Sequence, residues 1–230
     1  MPTTKRIVCL ANSRKLNGRC IAGLEIVPGK LGGWLRPVSA REKEEISEYE
    51  RQYQDGSDPR VLDIIDVPLL DPRPKTYQSE NWLIEPNTYW VKVGQASWGK
   101  LVPYATKVAP LWIMGNHTRI GLNDQIAIDE AVTLKSSLQL VHVSKLELRV
   151  FAPNAVFGNS KRRVLGEFTH GGFEYMLWVT DPIIEREYLL KEDGNYSLPE
   201  CLLTVSLGEP LNGFVYKLIA AVILQPMSKV

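Results

Sequence analysis

The amino-acid sequence predicts a mainly β protein built from two small β-barrels in tandem, each with a short helix. Three observations lead to this fold class. The 230 residues suit two domains of about 100 residues each. Short apolar runs rich in β-branched residues lie between turn signals along most of the chain. One helix start occurs in each half. The predicted domains are residues 1–130 and 131–230.

The first half contains four predicted strands and one helix. The strands are "RIVCLAN", "GRCIAGLEIV", "WLRPVS" and "RVLDIIDVPLL", and "SRKLNG" connects the first two. Pro37 lacks an N–H group, which favours an edge or the end of a strand. Ser39 and Glu42 match a capping box, and apolar residues follow at helical spacing, so a surface helix is predicted over 40–54.

The second half also combines strands with one helix. The predicted strands are "KLELRVF", "GGFEYMLWVT", "LLTVSL" and "FVYKLIAAVI". Asp181 followed by Pro182 supplies an N-cap and a first helical position, which predicts a short helix over "PIIEREYLL". Between residues 82 and 135 the pattern fits strands and a helix equally, so no element order is assigned there. This arrangement suggests barrels of the oligonucleotide/oligosaccharide-binding type, the OB-fold, although a sandwich or an SH3-like barrel would give a similar pattern.

The composition excludes several classes of protein. A hydrophobic content of 44% with 23% charged residues is ordinary for a globular protein. The longest apolar run, "KLIAAVIL", is far shorter than a membrane-spanning helix, and the N-terminus lacks an apolar signal region, so we expect a cytoplasmic protein with no membrane partner. The cysteines and histidines show no paired spacing, so we expect no disulfide, no metal and no cofactor.

Charge is distributed unevenly along the chain. Residues 1–36 carry seven Lys or Arg residues against one Glu, whereas residues 181–209 carry seven acidic residues against two cations. The protein is therefore expected to be bipolar, with a basic N-terminal segment that suits an anionic partner.

The first candidate site is the segment 12–23, "NSRKLNGRCIAG". Arg14, Lys15 and Arg19 surround its turn, and the Asn-Gly pair within "KLNG" is predicted to supply the left-handed conformations of a hairpin. The cations would lower the pKa of the Cys20 thiol if they faced it, but strand alternation favours a buried, structural cysteine. The predicted role of the three cations is contact with phosphates.

Two further groups are candidates for binding. Trp34 and Arg36 are two residues apart, so both lie on one face of a strand, where they would stack a base and hold a phosphate. The alternative is a Trp34 side chain in the core with Arg36 at its rim. Lys161, Arg162 and Arg163 form a second basic cluster in "NSKRRV", which is predicted to be a loop, and a solvated turn is the alternative there.

Signals for catalysis are weak. A helix cap and a solvated helix face account for the carboxylates Asp181, Glu185 and Glu187. His170 stands beside two glycines, and a hairpin turn explains that stretch as well as a ligand does. No catalytic triad, metal set or phosphate loop can be assembled from the spacings, so an enzyme is not predicted.

Several short motifs together resemble a known family. In chain order they are "SRK", "GRCIAG", "GGWLRPVS", "QSENW", "VTDP", "VSLGEP" and "YKLIAAVI". The chain resembles the dual OB-containing domain family of bacterial proteins over nearly its whole length. This resemblance implies two OB-folds in tandem, no known catalytic activity, and recognition of nucleic acid or a nucleotide in prokaryotic defence systems.

The leading functional hypothesis is a non-enzymatic module that recognises nucleic acid, specifically single-stranded DNA or RNA. One alternative is a sensor of a nucleotide-like small molecule with its site in the crevice between the barrels. Another is a protein-interaction module that uses its bipolar charge and its strand edges to dock a partner.

Overall fold

The computed structural model describes residues 2–226, which form two compact units. The first unit contains the chain up to Tyr104 together with Lys135–Ser137, and the second contains Ala105–Leu134 and the chain from Leu138 onward. Residues 105–130 thus pack with the second unit, whereas the predicted boundary lay at residue 130. The physical reason is that Leu111 of this segment is buried in the core of the second unit.

Six strands form the sheet of the first unit. They are β1 (Thr3–Lys15), β2 (Gly18–Val27), β3 (Lys30–Val38), β4 (Asp63–Pro72), β5 (Asn81–Ile84) and β6 (Val91–Gln95). The four strands predicted in this half are present. Both β5 and β6 lie in the segment to which the sequence pattern assigned no order.

The first five strands close into a ring of paired strands. The N-terminal half of β1 pairs with β4 and its C-terminal half pairs with β2, with a register shift between Cys9 and Ala11. The remaining pairs of the ring are antiparallel β2–β3, parallel β3–β5 and antiparallel β4–β5. Apolar side chains including Ile7, Ile21 and Ile65 fill the interior. The strand β6 pairs with β4 outside the ring.

Gly23 permits β1 and β2 to approach closely inside this ring. It lies opposite Cys9, next to the register shift of β1. A Cβ atom at Gly23 would lie 2.2 Å from the carbonyl oxygen of Val8, which is backbone and cannot rotate away. Only glycine fits this position without a shift of one strand.

Gly23→Ala is expected to lower the free energy of unfolding by about 1–3 kcal/mol, because overpacking forces the two backbones apart. Gly33→Ala is the matched control, since a Cβ atom at Gly33 of β3 meets nothing within 4 Å. Urea denaturation of both variants checks this expectation. Equal stabilities for the two variants would contradict it.

The first helix is shorter than predicted and begins later. The expected helix over 40–54 is replaced by a single turn, α1 (Glu48–Arg51), whose N-cap is Ser47 in a complete capping box with Glu50. The chain cannot be helical before this point, because Glu44 has a φ of +59° and Ile46 forms an antiparallel bridge with Arg19. Tertiary pairing therefore overrides the earlier capping-box pattern.

Eight strands and two helices form the second unit. The strands are β7 (Gln125–Ala127), β8 (Leu138–Val143), β9 (Leu146–Phe151), β10 (Arg163–His170), β11 (Phe173–Val179), β12 (Gly194–Leu198), β13 (Cys201–Leu207) and β14 (Phe214–Leu224). The helices are α2 (Ile128–Ala131) and α3 (Pro182–Leu189). The four strands predicted in this half are present as β9, β11, β13 and β14, and β7, β8, β10 and β12 were not predicted.

The second unit repeats the pairing order of the first. Its first strand is broken at Ser144 and Lys145 into β8, which pairs with β13, and β9, which pairs with β10. The ring continues through antiparallel β10–β11, parallel β11–β14 and antiparallel β13–β14. As in the first unit, the main helix lies between the third and fourth strands of the ring. The fold is therefore mainly β, as predicted.

The predicted start of α3 is confirmed. The Asp181 carboxylate accepts hydrogen bonds from the backbone N–H groups of Ile183 and Ile184, and Pro182 occupies the first turn. Its second oxygen accepts the N–H of Val222 at 3.0 Å, which ties the helix start to β14. These contacts give Asp181 a structural role.

A buried lysine holds a loop against the second core. Lys217 of β14 is 1% exposed, and its Nζ donates a hydrogen bond of 2.7 Å to the carbonyl oxygen of Ile113. Burial lowers the pKa of Lys217 from 10.5 to about 8, although Asp124 favours the charged form. The folded protein thus releases the Lys217 proton at a lower pH than the unfolded chain does, and the charged amine predominates below about pH 8.

Between pH 8 and 9 the contribution of Lys217 to the free energy of unfolding is expected to increase by about 1 kcal/mol, because unfolded Lys217 still binds the proton that folded Lys217 releases. The buried thiols of Cys9 and Cys201 oppose this gain over the same range, since burial raises both of their pKa values from 9.0 to about 12 and the unfolded thiols lose protons that the folded thiols keep. Urea denaturation of the wild type and of Lys217→Met at pH 7, 8 and 9 separates the two effects. The stability of the wild type relative to Lys217→Met should rise by about 1 kcal/mol from pH 8 to pH 9, and the same pH dependence in both proteins would contradict the assignment.

Candidate nucleic-acid interface

The basic hairpin joins β1 to β2 through Leu16 and Asn17. The left-handed residue of the turn is Leu16, with a φ of +52°, so the expectation that an Asn-Gly pair provides this conformation was wrong. Arg14 lies directly opposite Arg19, whereas Lys15 lies opposite Gly18. Since successive residues alternate between faces, Arg14 and Arg19 share one face of the hairpin and Lys15 lies on the other.

The predicted pair Trp34 and Arg36 does not form an exposed platform. Arg36 is 4% exposed, and its Nη2 donates to the hydroxyl of Ser137 at 2.7 Å and lies 3.2 Å from Oε1 of Glu80. The Ser137 hydroxyl donates in turn to Glu80. This network fixes the guanidinium inside the first unit, away from an external phosphate.

Trp34 is half-buried on β3, opposite Leu24 of β2. It is outside the core cluster of the first unit. Its partner Leu24 lies about 20 Å along β2 from the hairpin turn, given a rise of roughly 3.3 Å per residue. Trp34 and the hairpin cations are therefore separate features of this sheet.

The three cysteines differ in their surroundings. Cys20 is only partly buried, whereas a buried cysteine was expected, and its strand partner is Ser13. Cys9 and Cys201 are buried, and burial raises the pKa of each thiol to about 12. These two thiols stay protonated at neutral pH and are weak nucleophiles.

The second basic cluster is split by the structure. Lys161 is exposed in the loop over residues 152–162. Arg162 binds inward, donating to the carboxylate of Asp193 at 2.7 Å and to the carbonyl oxygens of Leu189 and Lys191 near the end of α3. Arg163 is the first residue of β10, so the loop ends two residues before the end of "NSKRRV".

The side chain of Arg163 contributes to what we call the arginine–aromatic face, made of Arg149, Phe151, Arg163 and Trp178. The guanidinium carbon of Arg163 lies 3.8 Å from the ring centre of Trp178, and that of Arg149 lies 4.6 Å from the ring centre of Phe151. The two rings stack on each other, with centres 5.9 Å apart and planes 23° apart. Strand register places all four side chains on one face, because Arg163 is opposite Phe151 and Leu165 is opposite both Arg149 and Trp178.

A partly apolar loop continues this face. The loop over residues 152–162 leads from β9 to β10 and contains a turn of 3-10 helix closed by Gly158. Phe157 at its tip is 74% exposed, and Arg119 approaches its ring at 5.7 Å. An aromatic ring with this exposure beside cations offers an open surface for stacking.

The sign of the charge changes along the same face. Glu167 of β10 lies opposite Glu147 of β9, four residues along each strand from the Arg163–Phe151 pair and on the same face. The face thus has a cationic, aromatic end next to the loop 152–162 and an acidic end away from it. An anionic ligand is favoured only at the first end.

Sequence reasoning found Arg163 and missed Arg149, Phe151 and Trp178. The alternation in "KLELRVF" places Glu147, Arg149 and Phe151 on the face opposite the core. This signal is present in the sequence. The proximity of Trp178 depends on the register of β10 with its two neighbours, which no local pattern reveals.

The two rings of paired strands, one in each unit, define the class of protein. Each has five strand positions in one pairing order, a parallel pair between the third and fifth positions, and a helix between the third and fourth. This arrangement describes a tandem OB-fold protein. The chain belongs to the dual OB-containing domain family, whose model matches residues 5–222. Comparison with curated proteins and with solved structures gives no match.

Residues 2–226 contain neither a metal-binding cluster of His, Cys, Asp or Glu side chains nor a membrane-spanning helix. Within that range no group of three or more His, Cys, Asp or Glu side chains is arranged to hold a metal ion. None of the helices in that range has the length and apolar character needed to cross a membrane.

Proposed function

We propose that this protein is a non-enzymatic module that binds single-stranded nucleic acid, with the arginine–aromatic face as its main contact. The observation that carries the proposal is the layering of Arg163 on Trp178 and of Arg149 on Phe151, side by side on one face. Guanidinium planes and aromatic rings both stack on bases, and the guanidinium charges attract phosphates. The face lies on the first three strands of an OB-fold, where the second and third strands bind ligands in this class.

The loop 152–162 extends the proposed contact. It corresponds to the loop between the first and second strands of an OB-fold, which borders the binding face. Phe157 supplies an open ring for one further base, and Lys161 supplies a charge for the backbone. A single strand whose bases are unpaired suits this arrangement, because a duplex hides its base faces.

The basic hairpin of the first unit is proposed as a second phosphate contact. Arg14 and Arg19 face each other directly across the two strands, which brings two cations together on one face of the hairpin. A phosphate near both guanidinium groups would contact two positive charges at once. Lys15 lies on the opposite face of the hairpin, and Trp34 lies opposite Leu24 at a distance from the turn, so neither residue is part of this phosphate contact.

The proposed activity is recognition without catalysis and without a cofactor. The free cysteines support a reducing setting such as the cytoplasm. The setting in a prokaryotic defence system, implied by the family resemblance, stays a prediction.

Salt-dependent binding tests the proposal. Labelled single-stranded DNA and RNA of about 20 nucleotides are titrated at several salt concentrations, since each phosphate contact adds roughly 0.7 to the slope of log affinity against log salt. The Arg149→Ala/Arg163→Ala variant and the Arg14→Ala/Arg19→Ala variant should each flatten the slope by about 1.4.

Arg41→Ala/Lys43→Ala is the matched control, because it removes two cations from a loop outside both proposed surfaces. Its slope should equal that of the wild type. An unchanged slope for Arg149→Ala/Arg163→Ala would remove the arginine–aromatic face from the binding site. Mononucleotides that bind as tightly as the oligonucleotides would favour a nucleotide sensor instead.

A further inference from the structure

A cavity of about 300 Å³ lies in the second unit, on the same side of the sheet as the arginine–aromatic face. Glu167 of β10 and its strand partner Met176 of β11 line it, together with Leu122, whose backbone pairs with that of Met176. This volume is at the lower limit of the range of about 300–1,000 Å³ typical of small-molecule sites. The cavity therefore suits one small ring system, such as a single base.

The cavity adjoins the surface proposed to bind nucleic acid. Met176 and Trp178 are two residues apart on β11, so both side chains lie on one face of that strand. Arg163 and Glu167 are four residues apart on β10, a separation of roughly 13 Å at about 3.3 Å per residue. One nucleotide bound along β10 can therefore reach both the cationic end of the face and the cavity.

The charges along this face orient such a nucleotide. Its phosphate is attracted by Arg149 and Arg163, whereas a phosphate beside Glu167 would meet a like charge. The base is therefore the part of the nucleotide that extends into the cavity. The half-buried side chains of Met176 and Leu122 offer apolar surface to its ring.

Glu167 presents a carboxylate with both oxygens available. The opposite residue, Glu147, forms an ion pair with Lys145, and hydrogen bonds from Lys145 and Ser197 lower the pKa of Glu147. No group of residues 2–226 forms a hydrogen bond or an ion pair with the half-buried carboxylate of Glu167. A ligand can therefore bind this carboxylate without breaking an existing contact.

Two acceptor oxygens side by side select among the bases, because an ionised carboxylate accepts hydrogen bonds and donates none. The Watson–Crick edge of guanine carries two adjacent donors, the ring N1–H and the 2-amino group, which match a carboxylate in a bidentate contact. Adenine and cytosine each place one amino group beside an unprotonated ring nitrogen, and thymine or uracil places one N–H between two carbonyl oxygens. These edges turn an acceptor toward Glu167, so the site favours guanine.

We infer that Glu167 gives the proposed nucleic-acid surface a preference for guanine, with the base in the cavity beside Met176 and its N1–H and 2-amino groups donating to the carboxylate. The preference rests on the proposed function, because the cationic end must hold the phosphate of the same nucleotide. Glu167 is then a residue that determines specificity rather than overall affinity.

Fluorescence anisotropy of the full chain with labelled strands of about 20 nucleotides, as DNA and as RNA, tests the preference. A strand of thymine or uracil alone is compared with strands in which isolated positions carry guanine, adenine, cytosine or hypoxanthine. The isolated positions prevent association between runs of guanine. Guanine is expected to give about tenfold tighter binding than adenine or cytosine, and hypoxanthine, which lacks the 2-amino group, should lose most of that gain.

Glu167→Gln identifies the residue responsible. Glutamine has the same shape but carries one acceptor and one donor group, so it cannot accept from both groups of guanine, and the preference should fall below about twofold. Glu174→Gln is the matched control. Glu174 is an exposed carboxylate of the same lining, two residues beyond Met176 from the cationic end, so this variant removes an equal charge and should keep the preference.

Equal binding of the guanine, adenine and cytosine strands overturns the inference and leaves the proposed function standing. An unchanged guanine preference in Glu167→Gln, an equal loss in both variants, or a preference for adenine or cytosine also overturns it. Binding of no strand at all overturns the proposed function together with the guanine preference. The two failures are distinguishable, because the preference is a ratio of affinities between strands and the proposed function is binding itself.

Discussion

Replacing Arg36 with alanine is expected to lower the free energy of unfolding by about 3–5 kcal/mol, because the Glu80 carboxylate is left buried without its cation. Glu80 lies in the same buried network and also accepts the hydroxyl of Ser137. Urea denaturation measures the loss. Arg41→Ala is the matched control, since Arg41 lies 3.5 Å from Glu50 in a more exposed ion pair that contributes less than about 1 kcal/mol.

The same experiment separates a structural role of Arg36 from a role in binding. Under conditions where Arg36→Ala remains folded, its affinity for an oligonucleotide should match that of the wild type. A stable variant with weakened binding would contradict the buried ion pair and restore Arg36 to the binding surface.

Removing two stacking surfaces together, in Phe157→Ala/Trp178→Ala, is expected to weaken oligonucleotide binding by about 2–6 kcal/mol, since each stacked base contributes about 1–3 kcal/mol. The salt slope should be almost unchanged, because no charge is lost. Fluorescence anisotropy of a labelled oligonucleotide measures both quantities. Trp34→Ala applies the same test to the first unit.

Phe173→Ala provides the control for this pair of substitutions. Phe173 is a partly exposed aromatic residue at the start of β11, and it is an odd number of residues from Trp178, so it lies on the opposite face of the strand. Its loss should not change the affinity. Equal losses for Phe173→Ala and Trp178→Ala would show that the effect does not come from stacking.

A strand was predictable from the sequence where an apolar run rich in β-branched residues lay between two turn signals. The predicted run "GRCIAGLEIV" coincides with β2, and the cap at Asp181 correctly located α3, because both signals are local. Residues 105–134 were not predictable. Their only strand, β7, has three residues, and a four-residue helix follows it, so neither periodicity has room to develop.

The sequence indicated cations of the candidate site, but it did not indicate which side chains they contact. The burial of Arg36 depends on Ser137, which is 101 residues away in sequence. No local sequence pattern distinguishes an arginine that forms such a buried hydrogen bond from one that faces solvent. The stacking of Phe151 with Trp178 likewise depends on two strands brought together by the pairings of β10.

The packing of Lys135–Ser137 with the first unit has a practical consequence for producing the two units as separate fragments. A fragment that ended at Tyr104 would lack Ser137, which contacts both Arg36 and Glu80, and would lack the Lys135 carbonyl oxygen that accepts a 2.6 Å hydrogen bond from Ser79. Its interior would then contain polar groups without their partners, so loss of binding by the fragment would report misfolding. The contributions of the two units to binding are therefore better separated by point substitutions in the intact chain than by truncation.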